Sequence, residues 1–307
     1  MIPQMFKGLI KKNRKSGPSS FLDLDEDIVS TDFECSLESL TFSSTCEDVF
    51  LDRFNHSRIL ELIKESGILP ALNENGFKNV VLDIFKDDTG VHHLKIYADT
   101  KKRATLVDLR LSFKNVYRAD LQNPMKIDFR KHNFSVLEWI SLENPRKSFS
   151  EESRPLPGQM RPGLGILHQI MSFLQLIAQS SGLDGIIMVP DRFHTAVMYS
   201  KFAFFIDPSS QGKMSAILRD LARFSIEDIS WGFITGTIMD IEDEKSATFS
   251  PSPQIFPVSK RVMKYFQSSK YHRLSRKESK KHYYELNHSE MTARRSQLLL
   301  TKSTSEV

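Results

Sequence analysis

Hydrophobic positions along the chain fall into segments of clearly different period. After His56, the residues Ile59, Leu60, Leu62, Ile63, Ile68 and Leu69 recur at helical spacing, with a break near Gly67 and Pro70. KNVVLDIF (78–85) and VHHLKIYA (91–98) read as strands joined by the turn DDTG (87–90). ATLVDLRLSFKNVY (104–117) sets Leu106, Leu109, Leu111 and Phe113 among charged residues, which predicts a half-buried antiparallel strand. FSVLEWISL (134–142) is a further strand. An apolar helix follows over about 166–181, stopped by Ser180, Ser181 and Gly182. LDGIIMVP (183–190) predicts a short buried strand, and DRFHTAVMYSKF (191–202) a short helix with Asp191 as its N-cap. AFFIDP (203–208) predicts a strand, QGKMSAILRDLARF (211–224) an amphipathic helix, and WGFITGTIMDI (231–241) a last strand. Trp139 and Trp231 are placed on strands as core residues.

This order predicts an α+β fold, a mixed and mostly antiparallel central sheet with helices on both faces. The helix at 166–181 must cross over between two strands, so the sheet is parallel at that point. Residues 1–55 lack sustained periodicity and predict a flexible arm, residues 56–245 the folded domain, and residues 246–307 a basic C-terminal extension.

Composition narrows the class. With 307 residues and 40% hydrophobic content, the chain is long enough for a sizeable core. No apolar run approaches the ~20 residues of a membrane span. The N-terminal MIPQMFKGLIKKNRKSG is basic but has no apolar signal region, which together reads as cytoplasmic. The two cysteines, Cys35 and Cys46, have no metal-ligand spacing and read as reduced thiols. Charge is uneven: residues 7–15 are basic, residues 23–48 acidic, and residues 258–302 strongly basic with interleaved tyrosines. The first two blocks read as a solvated tail. In the third, Val262, Met263, Phe266 and Tyr271 fit a docked helix leading into a tail. Basic charge with aromatic faces also fits contact with nucleic acid or an anionic membrane.

Candidate chemistry concentrates in RPLPGQMRPGLGILHQIMSFLQLI (154–177). A glycine loop opening into a helix leaves backbone amides free and places the positive end of the helix dipole beside them. Such an end binds phosphate, or simply turns a strand into a helix. His92 and His93, adjacent on a strand, face opposite ways and cannot chelate one metal. His168 and His194 read as structural or exposed histidines. HExxH, CxxC, the P-loop lysine and Gly-x-Ser-x-Gly are all absent, which disfavours zinc chemistry and serine hydrolysis, and no metal is expected.

The order strand, glycine loop, helix, buried strand, then a helix carrying Tyr-x-Lys-x-x-Phe resembles the GNAT acyltransferase superfamily, as a divergent member. Gly163 and Gly165 match the small positions of the family's loop. Tyr199, Lys201 and Phe204 match its Tyr-Glu-Lys-Leu-Gly-Phe motif, with Ala203 in place of the glycine. The likeness covers about residues 56–242, with its specific part near 134–206. Met160 stands where the family has Gln or Arg, and Pro162 removes one amide from the loop. Arg161 offers a charged, forked donor in compensation.

The resemblance implies an N-acyltransferase that moves an acetyl or other acyl group from acyl-CoA to an amine by direct attack. It places the CoA pyrophosphate on Arg161, Gly163, Leu164, Gly165 and Ile166. The pantetheine arm would lie along LEWISL (137–142), with the Ile140 backbone in reach. It makes Tyr199 the acid for the departing thiolate, with Glu138 the candidate base and Glu143 its reserve. A non-catalytic binding or regulatory member of the same fold is the alternative reading.

Overall fold

The computed structural model describes residues 40–42, 49–113, 132–150 and 153–301. The cysteines, the N-terminal charge blocks and most of the expected arm therefore lie outside the described residues. Strands β2 (Val80–Lys86), β3 (His92–Tyr97), β4 (Thr105–Ser112) and β5 (Phe134–Leu142) form an antiparallel meander. The first turn is locked by Asp87, whose carboxylate accepts from the Thr89 and Val91 amides, and by left-handed Gly90. Hydrogen bonds from His93 and Thr89 hold the Asp87 carboxyl below the ordinary range. β1 (Leu40–Phe42) adds in parallel outside β2.

Helices α1 (His56–Glu65) and α2 (Ile68–Glu74) flank this sheet. The break between them is Gly67, at φ 76°. α3 (Leu167–Ser180) then carries the chain from β5 to β6 (Gly185–Met188), which pairs with β5 in parallel as the crossover required. β10 (Gln254–Pro257) lies antiparallel to β6, and β7 (Phe204–Phe205) closes the edge. The eight strands run β1-β2-β3-β4-β5-β6-β10-β7, with five of the seven pairings antiparallel. The architecture is α+β, a mixed sheet flanked by helices. No helix among the described residues is long and apolar enough to cross a membrane.

Several expected elements differ. β4 is not half-buried: Leu106, Val107, Asp108, Leu109 and Leu111 are all buried, because the strand sits inside a covered sheet. Asp108 is tolerated there through a two-pronged Arg110 contact at 3.2 and 2.7 Å. Phe113 lies one residue past the strand and is exposed. The expected strand at 231–241 is helix in its first half: α6 (Ile226–Thr235) precedes a short β8 (Ile238–Asp240). A capping box between Ser225 and Asp228 starts α6, and left-handed Gly236 ends it. Trp231 is core, but on that helix. Asp191 does not cap α4 (Phe193–Tyr199); Arg192 holds the position without a side-chain bond. Asp207 instead caps α5 (Pro208–Asp220), accepting from the Ser209 and Ser210 amides.

Residues past the expected 245/246 boundary build part of the same body. β10 is an inner strand of the main sheet. α7 (Lys260–Phe266) and α8 (Ser269–Ser279) pack Val262, Phe266 and Tyr271 against Ile206 and Ile255. The expected tail beyond them is folded too. β11 (Tyr284–Leu286) joins β8 and β9 (Lys245–Ser246) in a second sheet, and α9 (His288–Thr301) buries Met291 beside Trp231.

Candidate functional site

β5 has nine residues and β6 four, and their pairing runs only from Phe134↔Gly185 to Leu137↔Met188. Residues 138–142 therefore continue past the end of β6 while β4 still pairs with their other edge. The register with β4 shifts between Arg110 and Leu111, and Glu138 is the extra residue. Glu138 is exposed, and its carboxylate accepts from the Ser112 hydroxyl at 2.6 Å. Ile140 is half-buried against the main core. Trp139 was expected in the core but is 49% exposed, because no β6 residue lies beside it; Arg110 stacks over its ring at 5.6 Å.

The glycine loop closes on the far end of β5. The Asn144 amide donates to Pro162 O at 2.8 Å, the Leu164 amide to Leu142 O at 3.3 Å, and Gly163 bridges to Glu143. Leu164 and Ile166 are buried and anchor the loop, leaving Gly163 before them and Gly165 between them exposed. Gly165 has φ 78°, a conformation that glycine adopts without penalty. Ile166 precedes α3 without a side-chain cap. The amides of Gly165, Ile166, Leu167 and His168 consequently meet no acceptor among the described residues. Arg161, four residues before Gly165, is exposed and has no ion pair among the described residues. Glu143 accepts from Ser141 Oγ at 3.3 Å, at the end of the same strand.

Tyr199 ends α4. It is 7% exposed and belongs to the same core cluster as Leu164, Ile166 and Ile140. Its hydroxyl makes no hydrogen bond among the described residues. Burial, and then the Asp191 carboxylate, push its pKa well above the ordinary phenol value, so it is a neutral phenol. The first turn of α3 meets the turn after α4 through the His168 and Phe202 rings, 5.8 Å apart.

Asp191 also lines a cleft of about 160 Å³ with Pro157, Arg192, His194, Phe233 and Phe249. The last two residues come from α6 and the irregular segment that follows β9, so nothing local in the sequence joined them to the glycine loop. Arg192 packs against Gly158, where a Cβ would meet its Cζ at 2.7 Å. His194 is buried with Nδ1 unpartnered, and burial and the neighbouring Arg192 cation lower its pKa to about 4. Below pH ~6.5 the unfolded chain takes up a proton at this ring that the folded one refuses until about pH 4. Stability is therefore expected to fall as pH drops through that window. His194→Gln should flatten the fall by up to roughly 3 kcal/mol, read as the melting temperature against pH.

His92 and His93 are held structurally, while His168 is exposed. His92 Nδ1 accepts from the Leu51 amide, and His93 pairs with Asp87. Asp240 at the end of β8, Asp243 in the turn after it and His282 before β11 bring ligand atoms within 4.8 Å of one another. Asp240 and His282 already bind each other, and their wide separation in the chain gave no motif. No protein family matches this chain, and no curated protein matches it.

Proposed function

We propose that the chain is an acyl-CoA-dependent N-acyltransferase of the GNAT type, with an amine as acceptor. The observation that carries this reading is the opened edge of β5. A strand that outruns its parallel neighbour leaves backbone groups for an extended ligand such as pantetheine, and it leads to a helix start with four free amides. In this reading the CoA pyrophosphate rests on Arg161, Gly163, Gly165 and Ile166, with the Leu167 and His168 amides in support. Leu164 anchors the loop; its own amide is already committed to Leu142 O.

The reaction is direct. The amine nitrogen attacks the thioester carbonyl, a C–N bond forms and the C–S bond breaks. The Ile140 region of β5 polarises the carbonyl. The amine proton passes to Glu138, with Glu143 in reserve, and Tyr199 protonates the CoA thiolate. The aromatic-walled cleft beside Asp191 receives the acceptor.

One observation favours the non-catalytic alternative: Pro162 has no amide and the Leu164 amide is spent, so the cradle has fewer donors than a full phosphate loop. Calorimetric titration with acetyl-CoA tests both. A Cβ at Gly163 would lie 3.7 Å from Leu142 O, an ordinary contact, so Gly163→Val is expected to fold. It is expected to weaken acetyl-CoA binding at least about tenfold by blocking close backbone approach. Unchanged affinity in the folded variant would remove the site. Binding by the parent without transfer to any amine supports the binding-protein reading.

A further inference from the structure

Residues 260–281 hold nine lysines and arginines against a single carboxylate, Glu278, leaving 33 cationic against 37 acidic side chains in the rest of the chain. Lys281 already pairs with Glu278, and Arg261 with Asp184. On α8 and its C-cap, Lys270, Arg273, Lys277 and Lys280 recur at helical spacing along one side. All four are exposed and have no ion pair among the described residues. The opposite side is fixed to the body: Tyr271 donates to Phe205 O at 2.6 Å, and a Cβ on Gly212 of α5 would lie 2.5 Å from Ser275 O. The charges therefore stand on a rigid rod about 16 Å long.

Of the aromatics interleaved with these charges, the three on α7 and α8 are turned inward, while Tyr283, past the end of α8, is exposed. Tyr265 donates to Ile206 O, Phe266 is buried, and Tyr271 is held as above. Along α8 itself no phenylalanine, tyrosine or tryptophan is exposed to stack on unpaired bases. No large apolar side chain within 260–281 is exposed either, so there is no group to insert into a bilayer. Electrostatic attraction without an apolar anchor gives only marginal membrane attachment. A duplex offers closely spaced phosphates and counterion release, and needs neither stacking nor insertion.

We propose that the exposed side of α8 is a docking surface for double-stranded nucleic acid, held through its phosphates without reading sequence. This proposal does not depend on the acyltransferase reading. Anisotropy titration of the full chain with a mixed-sequence duplex of about 20 base pairs tests it. With four phosphate contacts, affinity is expected to fall about 10²-fold between 50 and 200 mM salt. The triple variant Arg273→Glu, Lys277→Glu, Lys280→Glu is expected to lose about 10²-fold in affinity at 50 mM salt, with its thermal melt unchanged, since it removes exposed, unpaired groups. The proposal is overturned by absence of duplex binding at 50 mM salt, or by equal affinity in the folded variant. It is equally overturned by at least tenfold preference for the matching single strand, or for phosphatidylserine vesicles, over the duplex.

Discussion

A chain ended after Ser259 is expected not to fold. The cut removes α7, α8, β11 and α9, and with them the buried Val262, Phe266, Tyr271, Tyr284, Leu286 and Met291. The first three cover Ile187, Ile206 and Ile255, so β10 and β6 would lose the cover on one side of the main sheet. The last three close the cluster around Trp231 and Ile238. Emptying one such site costs roughly 2–5 kcal/mol, and six together exceed the ~5–15 kcal/mol that holds a domain folded. The strand order β11-β8-β9 would also shrink to a pair whose outer member is two residues long. Far-ultraviolet circular dichroism and gel filtration check this. A soluble, cooperatively melting fragment would show that the C-terminal segment is an accessory layer instead.

The docked helix expected there is two helices, α7 and α8, and the tail expected beyond them is folded, for a physical reason. α8 anchors itself with Tyr271 and Ser275, and the partner that admits it is a glycine on another helix, Gly212. A helix with so few apolar residues shows only its charge in a sequence pattern. β5 and α3, by contrast, were readable almost to the residue, since each is a long apolar run bounded by polar residues. The segment 231–241 misled because Trp, Ile and Thr favour strands, while the signals that decide it are a cap at Ser225, outside the segment, and a stop at Gly236.

The site was legible to a similar degree. The glycine loop and the helix after it stand where the sequence placed them. The contacts that shape the site are non-local: Glu138 with Ser112, Leu164 with Leu142, and the end of β6 beside β5. Register across a sheet follows from which residues pair, and a single strand's pattern does not contain it.

Tyr199→Phe is expected to slow acyl transfer by about 10²–10⁴-fold with acetyl-CoA affinity nearly unchanged, on the proposed function. The substitution removes one oxygen that has no hydrogen-bond partner among the described residues, so fold and packing of α4 should persist. The ring remains in the cluster with Leu164, Ile166 and Ile140. Because burial keeps the phenol protonated, the proton is in place whenever the thiolate departs. Its high proton affinity works against easy release, so the transfer depends on the negative charge growing on sulfur nearby. That makes the contribution specific to the transition state: the loss should appear in kcat and in kcat/KM alike, not in KM. Single-turnover transfer from acetyl-CoA to an amine, alongside calorimetric CoA binding, separates these quantities. Normal turnover in the Phe variant would leave Tyr199 as a packing residue. A parallel loss of CoA affinity would mean that the hydroxyl binds the cofactor and does not serve as the acid.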